Sequence, residues 1–314
     1  MSKNFAIIGV GGYIAPRHLQ AIKDTGNKLV AALDPFDSVG VLDRYFDNVR
    51  FFTEFERFDR YVDKLRRKDA GDEIHYVSIC SPNYLHDAHA RFALRIGSDA
   101  ICEKPLVLNP WNIDALQELE NESSGKIYTV LQLRVHPSII KLKAELEKEK
   151  SANKKDVVLT YITSRGPWYL MSWKGQIDKS GGLATNIGIH FFDMLLWLFG
   201  NVQHKEIHYD SPLKTGGYIE LERARVKWFL SIDKKDLPSE AAQKGQPTFR
   251  SITIDGKELE FSGGFTDLHT KVYKDVLDGK GFRLEDALPS IVLAHDIRNA
   301  KATGVSPNSH SFLL

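Results

Sequence analysis

Short apolar runs alternate with longer amphipathic stretches through roughly the first 130 residues, a rhythm that separates strands from helices. It predicts strands at Phe5–Val10, Lys28–Leu33, Val49–Phe52, Ile74–Cys80, Asp99–Glu103 and Ile127–Leu131. Helices are predicted between them at Pro16–Thr25, Phe55–Lys68, Leu85–Ile96 and Pro110–Glu122. This order implies a parallel, doubly wound α/β sheet with right-handed crossovers. After a charged helix at about Ile139–Lys150 the pattern changes, and strands dominate: Val157–Ser164, Val202–Tyr209, Tyr218–Glu222, Ala224–Ile232, Ser251–Ile254 and Glu258–Phe261. One apolar helix, Leu183–Phe199, and two later ones near Asp267–Leu277 and Asp286–Lys301 accompany them. The second half therefore reads as an α+β domain, giving domains at 1–133 and 134–314, with the polar stretch Asp236–Pro247 as a mobile loop.

Composition narrows the class. The 314 residues are enough for about two domains, and 42% hydrophobic with 26% charged residues is the balance of a soluble globular protein. A formal net charge of +1 and the lack of a long basic run argue against nucleic acid as a partner. The two cysteines, Cys80 and Cys102, each lie in an apolar run, as expected of reduced core thiols. The apolar stretch Ile187–Phe199 contains His190 and Asp193 and is too short to span a bilayer. The expectation is a cytoplasmic protein without a membrane partner.

Chemistry gathers where the first-half strands end. The run Gly9, Gly11, Gly12, Tyr13, Ile14 follows the first strand, and glycines there let the backbone approach a pyrophosphate seated on the next helix. Ile14 stands where G-x-G-x-x-G has its third glycine. Asp34 closes the second strand about 20 residues on, where a carboxylate bonds the adenine ribose and repels a 2′-phosphate, favouring NAD over NADP. Ser81, Asn83 and His86 follow the fourth strand, and Asn83 can also cap the next helix. His86 and His89 lack a third ligand at fitting spacing, so no metal is expected. Glu103, Lys104 and Pro105 end the fifth strand, and a lysine at such a strand end faces the ligand crevice.

The glycine loop, Ser81-Pro82-Asn83 with His86, Glu103-Lys104-Pro105, and Gly181-Gly182 with Asn186, Gly188 and His190 resemble the glucose-fructose oxidoreductase/inositol dehydrogenase (Gfo/Idh/MocA) family over nearly the whole chain. The resemblance implies an N-terminal NAD-binding Rossmann domain and a C-terminal substrate-binding domain whose open, mostly antiparallel sheet makes the oligomer interface, here a homotetramer. Segments 12–18, 78–86, 159–170 and 172–175 resemble a bacterial subgroup that oxidises the sugar 3-hydroxyl of UDP-N-acetylglucosaminuronate with NAD, for the diacetamido uronic acids of lipopolysaccharide O-antigen. Some members reoxidise bound NADH with a 2-oxo acid. Carried over by position, the cofactor contacts are Gly11, Gly12, Tyr13, Ile14, Asp34, Ser81, Asn83, His86, Glu103, Lys104, Gln132 and Trp173. Lys104 and His190 are the candidates for proton chemistry, with the division between them open; a near-neutral base suits removal of a hydroxyl proton. Asn186 lies one turn before His190 and replaces the aspartate of most family members. The substrate's diphosphate and carboxylate call for cations. Lys104, Arg165, Tyr169, Lys174, Asn186 and His190 are the expected substrate contacts, with Trp168 near them. The competing readings are a dehydrogenase of another sugar or inositol, and a non-catalytic NAD(H)-binding regulator.

Overall fold

A computed structural model describes residues 2–37, 39–67, 71–149, 153–259 and 265–314. The chain divides into two compact units, Met1–Val135 with Gly264–Leu288, and His136–Gly263 with Pro289–Leu314. The contiguous 134–314 domain expected from sequence is therefore interrupted, because residues 264–288 belong with the first unit.

The first unit carries strands β1 (Asn4–Ile8), β2 (Lys28–Leu33), β3 (Arg50–Phe52), β4 (Tyr76–Ile79), β5 (Asp99–Cys102) and β6 (Ile127–Thr129). They form one six-stranded sheet in the order β3-β2-β1-β4-β5-β6, parallel at every pairing. This is the expected doubly wound order, reversing direction between β1 and β4. Helices α1 (Ala15–Asp24), α2 (Phe55–Arg66), α3 (His86–Arg95) and α4 (Trp111–Glu122) connect the strands. Pro16 sits in the first turn of α1, where its missing N–H costs nothing. Every residue of β4 is buried, as a strand covered on both faces requires.

In the second unit α5 (Pro137–Lys148) precedes β7 (Lys155–Thr163), and the short helices α6 (Trp168–Met171) and α7 (Ile177–Ser180) lead to α8 (Ile189–Phe199). Strands β8 (Val202–Asp210), β9 (Lys214–Leu221) and β10 (Ala224–Ser231) follow, then α9 (Ser239–Gln243), β11 (Thr248–Ile254) and β12 (Lys257–Glu258). The second sheet runs β12-β11-β7-β10-β9-β8; β7 and β10 pair in parallel and the other neighbours antiparallel. One face packs α8, with Phe192 edge-on to Trp228 and Phe191 against Tyr161. The other face is strapped by the C-terminal residues. Thr303 donates to the Ile207 carbonyl, His310 bonds Thr160 at 2.8 Å, and Phe312 stacks on Phe229.

The segment 265–288 completes the first unit through α10 (Leu268–Leu277), whose Leu268, Val272, Tyr273 and Val276 enter the same core as Phe5, Ile7, Leu19 and Ile22. Helix α11 (Leu284–Asn299) spans the division next to Pro289.

Two expectations change. Asp236–Pro247 holds the helix α9, so it is not simply a loop. The apolar helix begins as a π-helical turn over Ala184–Gly188 before α8. The apolar helical run Ile177–Phe199 is long and apolar enough to cross a membrane, but 78% of its most apolar window is buried, the condition of a core helix. The expected ends of helices at residues 68 and 150 and of the strand at 260–261 fall outside the described residues.

Candidate active site

The glycine loop after β1 is built by close backbone approach. Gly9 has φ +87°, and a methyl group there would lie 2.6 Å from the Ser81 nitrogen at the end of β4. At Gly11 a methyl group would meet the Asp34 carboxylate at 3.1 Å, and at Gly12 the Gly9 carbonyl at 3.1 Å. The Asp34 carboxylate accepts from the Gly11 N–H at 2.8 Å and from the Phe36 N–H at 3.0 Å, one bond to each oxygen. Each oxygen keeps a second lone pair, and the two together suit a ribose diol. Tyr13, 91% exposed, and partly buried Ile14 continue the loop into α1, whose N-terminus favours a pyrophosphate. These observations fit a dinucleotide: backbone clearance, an oriented carboxylate and a helix start stand at adjacent strand ends.

Beyond β4 the expected contacts separate. The Ser81 hydroxyl pairs with His89 Nδ1 at 2.8 Å. Burial drives the His89 pKa down to about 4, so its ring is neutral. Leu85, not Asn83, stands at the N-cap of α3, while Asn83 is buried in the turn before it. His86 is 1% exposed, and its nitrogens lie 2.7 Å from the Pro105 carbonyl and 2.8 Å from the Ser81 carbonyl. Burial lowers its pKa against the pull of both carbonyls. The His86 ring thus lies between the β4 and β5 ends, where a neutral imidazole donates to one of the two carbonyls.

Glu103 also turns inward. It is 7% exposed, and its Oε1 accepts from His18 Nε2 at 2.9 Å and His269 Nε2 at 2.8 Å. Its Oε2 accepts from the Lys104 backbone N–H at 3.3 Å. Burial alone would raise the Glu103 pKa, but the bonds from His18 and His269 outweigh it and hold the carboxyl well below the ordinary range. Burial lowers the His18 pKa, so its neutral ring donates from Nε2 and accepts at Nδ1 from the Tyr273 hydroxyl at 2.7 Å. Ser78 then donates to Tyr273 at 2.6 Å. Glu103 is thus a buried anchor within the unit, with both oxygens accepting and Oε2 keeping a second lone pair. His18, His269, Tyr273 and Ser78 were not among the residues expected from sequence. Lys104 is half-buried beside this anchor, and Gln132 is half-buried in the turn after β6.

The second unit gathers a different set. Arg165 leaves β7 with its N–H bonded to the Ile232 carbonyl, and its side chain is exposed. Burial, and then the charge of Arg165, lower the pKa of Lys174, whose ammonium lies 5.7 Å from the Trp173 ring centre. Neither cation forms an ion pair among the described residues. Two cations close enough to feel each other, without a carboxylate between them among the described residues, have the chemistry to receive an anion. Next to them the Tyr169 hydroxyl accepts from Asn186 Nδ2 at 2.7 Å and keeps its own proton to donate. Burial raises the Tyr169 pKa against the Asn186 bond. Tyr169 packs on Leu183, Ile187 and Ile232, whereas Trp168 is 75% exposed. Asn186 belongs to the π-helical turn, a distortion that recurs at functional sites, and half-buried His190 follows in α8.

Comparison with known proteins agrees with this geometry. A profile described as "Oxidoreductase family, NAD-binding Rossmann fold" matches residues 3–131, and its companion, "Oxidoreductase family, C-terminal alpha/beta domain", matches residues 155–231. The chain belongs to the Gfo/Idh/MocA oxidoreductase family. Among solved members, the WlbA (WbpB) dehydrogenase from Thermus thermophilus in complex with NAD and alpha-ketoglutarate is 54% identical, with a TM-score of 0.94 over 99% of this chain and 100% of that one. The same enzyme with NAD and UDP-GlcNAcA is 52% identical over the same shares, also with a TM-score of 0.94. The inositol 2-dehydrogenase of Rhizobium meliloti is 27% identical over 64% of this chain and 56% of its own length. Matches to the first four curated family members span between 15% and 56% of their lengths. As a Gfo/Idh/MocA oxidoreductase the chain has the parallel NAD-binding sheet and the mixed, mostly antiparallel second sheet expected from its sequence.

Proposed function

We propose that this protein is an NAD-dependent dehydrogenase that oxidises the sugar 3-hydroxyl of UDP-GlcNAcA to a ketone. The observation that carries the reading is the cation couple Arg165 and Lys174, without an ion pair among the described residues, beside Tyr169 and Asn186. A neutral polyol needs no such couple, whereas a diphosphate and a carboxylate do. The Thermus thermophilus enzyme bound to UDP-GlcNAcA, 52% identical, supports the same reading.

Bound NAD supplies the hydride acceptor. The glycine loop and Asp34 hold its pyrophosphate and ribose, with Tyr13, Ile14, Ser81, Asn83, His86, Glu103, Lys104, Gln132 and Trp173 as further contacts. Lys104 and His190 act on the proton of the sugar 3-hydroxyl: an ammonium lowers the hydroxyl pKa electrostatically, and an imidazole accepts the proton as hydride departs. Arg165 and Lys174 meet the anionic groups, and Asn186 meets a sugar hydroxyl or the N-acetyl group. The relative bound to alpha-ketoglutarate supports a 2-oxo acid as reoxidant of NADH. We place the enzyme in the cytoplasm as a homotetramer serving lipopolysaccharide O-antigen synthesis. The likeness to inositol 2-dehydrogenase favours, as a second reading, a free polyol substrate.

The test is NADH formation, read by absorbance, with UDP-GlcNAcA against UDP-GlcNAc and inositol. Strong preference for the acid is expected; equal rates with UDP-GlcNAc would refute the carboxylate requirement. Lys104→Ala and His190→Asn should each bind NAD within about threefold of wild type and lose at least about a hundredfold in kcat. Full activity in either would remove that residue from the chemistry.

A further inference from the structure

We propose that the buried cluster His18–Glu103–His269 is a positioning device for Lys104, fixing where the lysine is held and how firmly it keeps its proton. The proposal rests on the reading of Lys104 as a participant in the proton chemistry. Its three members come from α1, from the end of β5 and from α10, so elements far apart in sequence converge on one carboxylate. That carboxylate belongs to the residue immediately before Lys104. Its Oε1 takes both imidazole N–H groups, at 2.9 and 2.8 Å, and its Oε2 takes the backbone N–H of Lys104 itself. An outer ring locks the cluster: Tyr273, fully buried, joins His18 Nδ1 to the Ser78 hydroxyl. The side chains in this chain of bonds are all buried, so it does not serve as a surface ion pair.

The charge balance gives the cluster an electrostatic consequence. The groups that face Glu103 are His18 from α1, His269 and Tyr273 from α10, His86 from α3, the thiol of Cys80 after β4 and the thiol of Cys102 in β5, with the backbone N–H of Lys104 bonded to it. Burial pushes Cys80, Cys102 and Tyr273 well above their ordinary values, so none of them adds a negative charge. His18 is neutral. The Glu103 carboxylate is therefore the one negative charge of this set, shielded from water one residue from Lys104. A shielded anion bonded to the backbone of Lys104 favours the ammonium form of the lysine.

The test separates this role from simple structural support and from the identity of the substrate. Reductive methylation with a ¹³C label allows the Lys104 titration to be followed by NMR without any sugar, with Lys104→Arg identifying the resonance. Glu103→Gln is expected to lower the Lys104 pKa by about one unit, a tenfold weaker hold on the proton. His269→Phe, which keeps the carboxylate but removes one donor, is expected to move it less than Glu103→Gln does. Circular dichroism confirms that each variant is folded, and the alkaline limb of the kcat/KM profile with UDP-GlcNAcA should shift by the same amount as the titration. An unchanged Lys104 titration in both folded variants overturns the proposal whatever the sugar assay gives. Failure to turn over UDP-GlcNAcA, with the titration shifted, overturns only the substrate reading. One equivalent of zinc in the purified protein, removable by chelator with the Lys104 titration unmoved, would make the three residues a metal site instead.

Discussion

In the proposed reading, Asp34 carries the choice between NAD and NADP on a single side chain. Its carboxylate is held by two backbone N–H groups, so its orientation is set before any cofactor arrives. Replacing it with alanine removes a charged acceptor toward the ribose, a loss of about 1.5–3 kcal/mol. Asp34→Ala is therefore expected to weaken NAD binding about tenfold to a hundredfold in a fluorescence titration while leaving NADP binding nearly unchanged. Retained discrimination between the two cofactors would contradict the role given to this residue. Gly9 makes the opposite kind of demand. Its φ of +87° and the 2.6 Å clearance to the Ser81 nitrogen leave no room for a side chain, and Gly9→Ala should destabilise the protein by at least about 2 kcal/mol in urea unfolding. Both residues were legible in the sequence, because a strand end, a glycine loop and an acid about 20 residues later form a local pattern. His269 was not. Its partner Glu103 is 166 residues away, and no periodicity or motif marks a histidine whose meaning depends on so distant a contact.

At the scale of elements, the C-terminal strap has a testable energetic role. His310 is almost wholly buried, bonds Thr160 and stacks on Phe229 with ring centres 5.6 Å apart. Leu313 joins the cluster of Ile162, Phe229 and Leu237. His310→Ala removes a hydrogen bond and a packed ring, an expected loss of about 2–3 kcal/mol in chemical denaturation. A change below about 0.5 kcal/mol would mean that the strap contributes little. Most strands and helices were readable from the alternation of apolar runs, and β2 was located to the residue. The strap was not, because a segment without helical or strand periodicity shows no sign of the sheet face it covers. The π-helical turn was also hidden: Asn186 and His190 read as neighbours on an ordinary helix, and nothing local distinguishes a wider turn.

At the scale of the whole molecule, buried neutral histidines tie stability to pH in both units. Burial lowers His89 in the first unit and His310 in the second to about 4. In the unfolded chain each titrates near 6.5. Between those values the unfolded state binds more protons than the folded one, so the contribution is complete above about pH 6.5 and is lost as pH falls toward 4. The thermal midpoint should decline over that window, and His310→Gln should flatten the decline by about 1–2 kcal/mol. A slope identical to wild type would show that His310 is not held neutral by the fold. The two-domain division was legible from the shift in pattern after residue 133, but not the return of residues 264–288 to the first unit. An α-helix that follows strands looks the same in sequence whichever core it enters.

That return bears on how the protein is made. A ribosome releases the nucleotide-binding sheet early, yet Tyr273 and His269, which close its interior over His18 and Glu103, are synthesised only after the greater part of the other unit. The first domain to emerge is thus left incomplete until residue 288, and until then it must wait with buried polar groups unsatisfied and part of its core uncovered. Residues 1–135 expressed alone should behave as a loosely packed, dye-binding species, and a separately supplied peptide of residues 265–288 should tighten it; a cooperative melt of 1–135 by itself would show that the sheet needs no such completion.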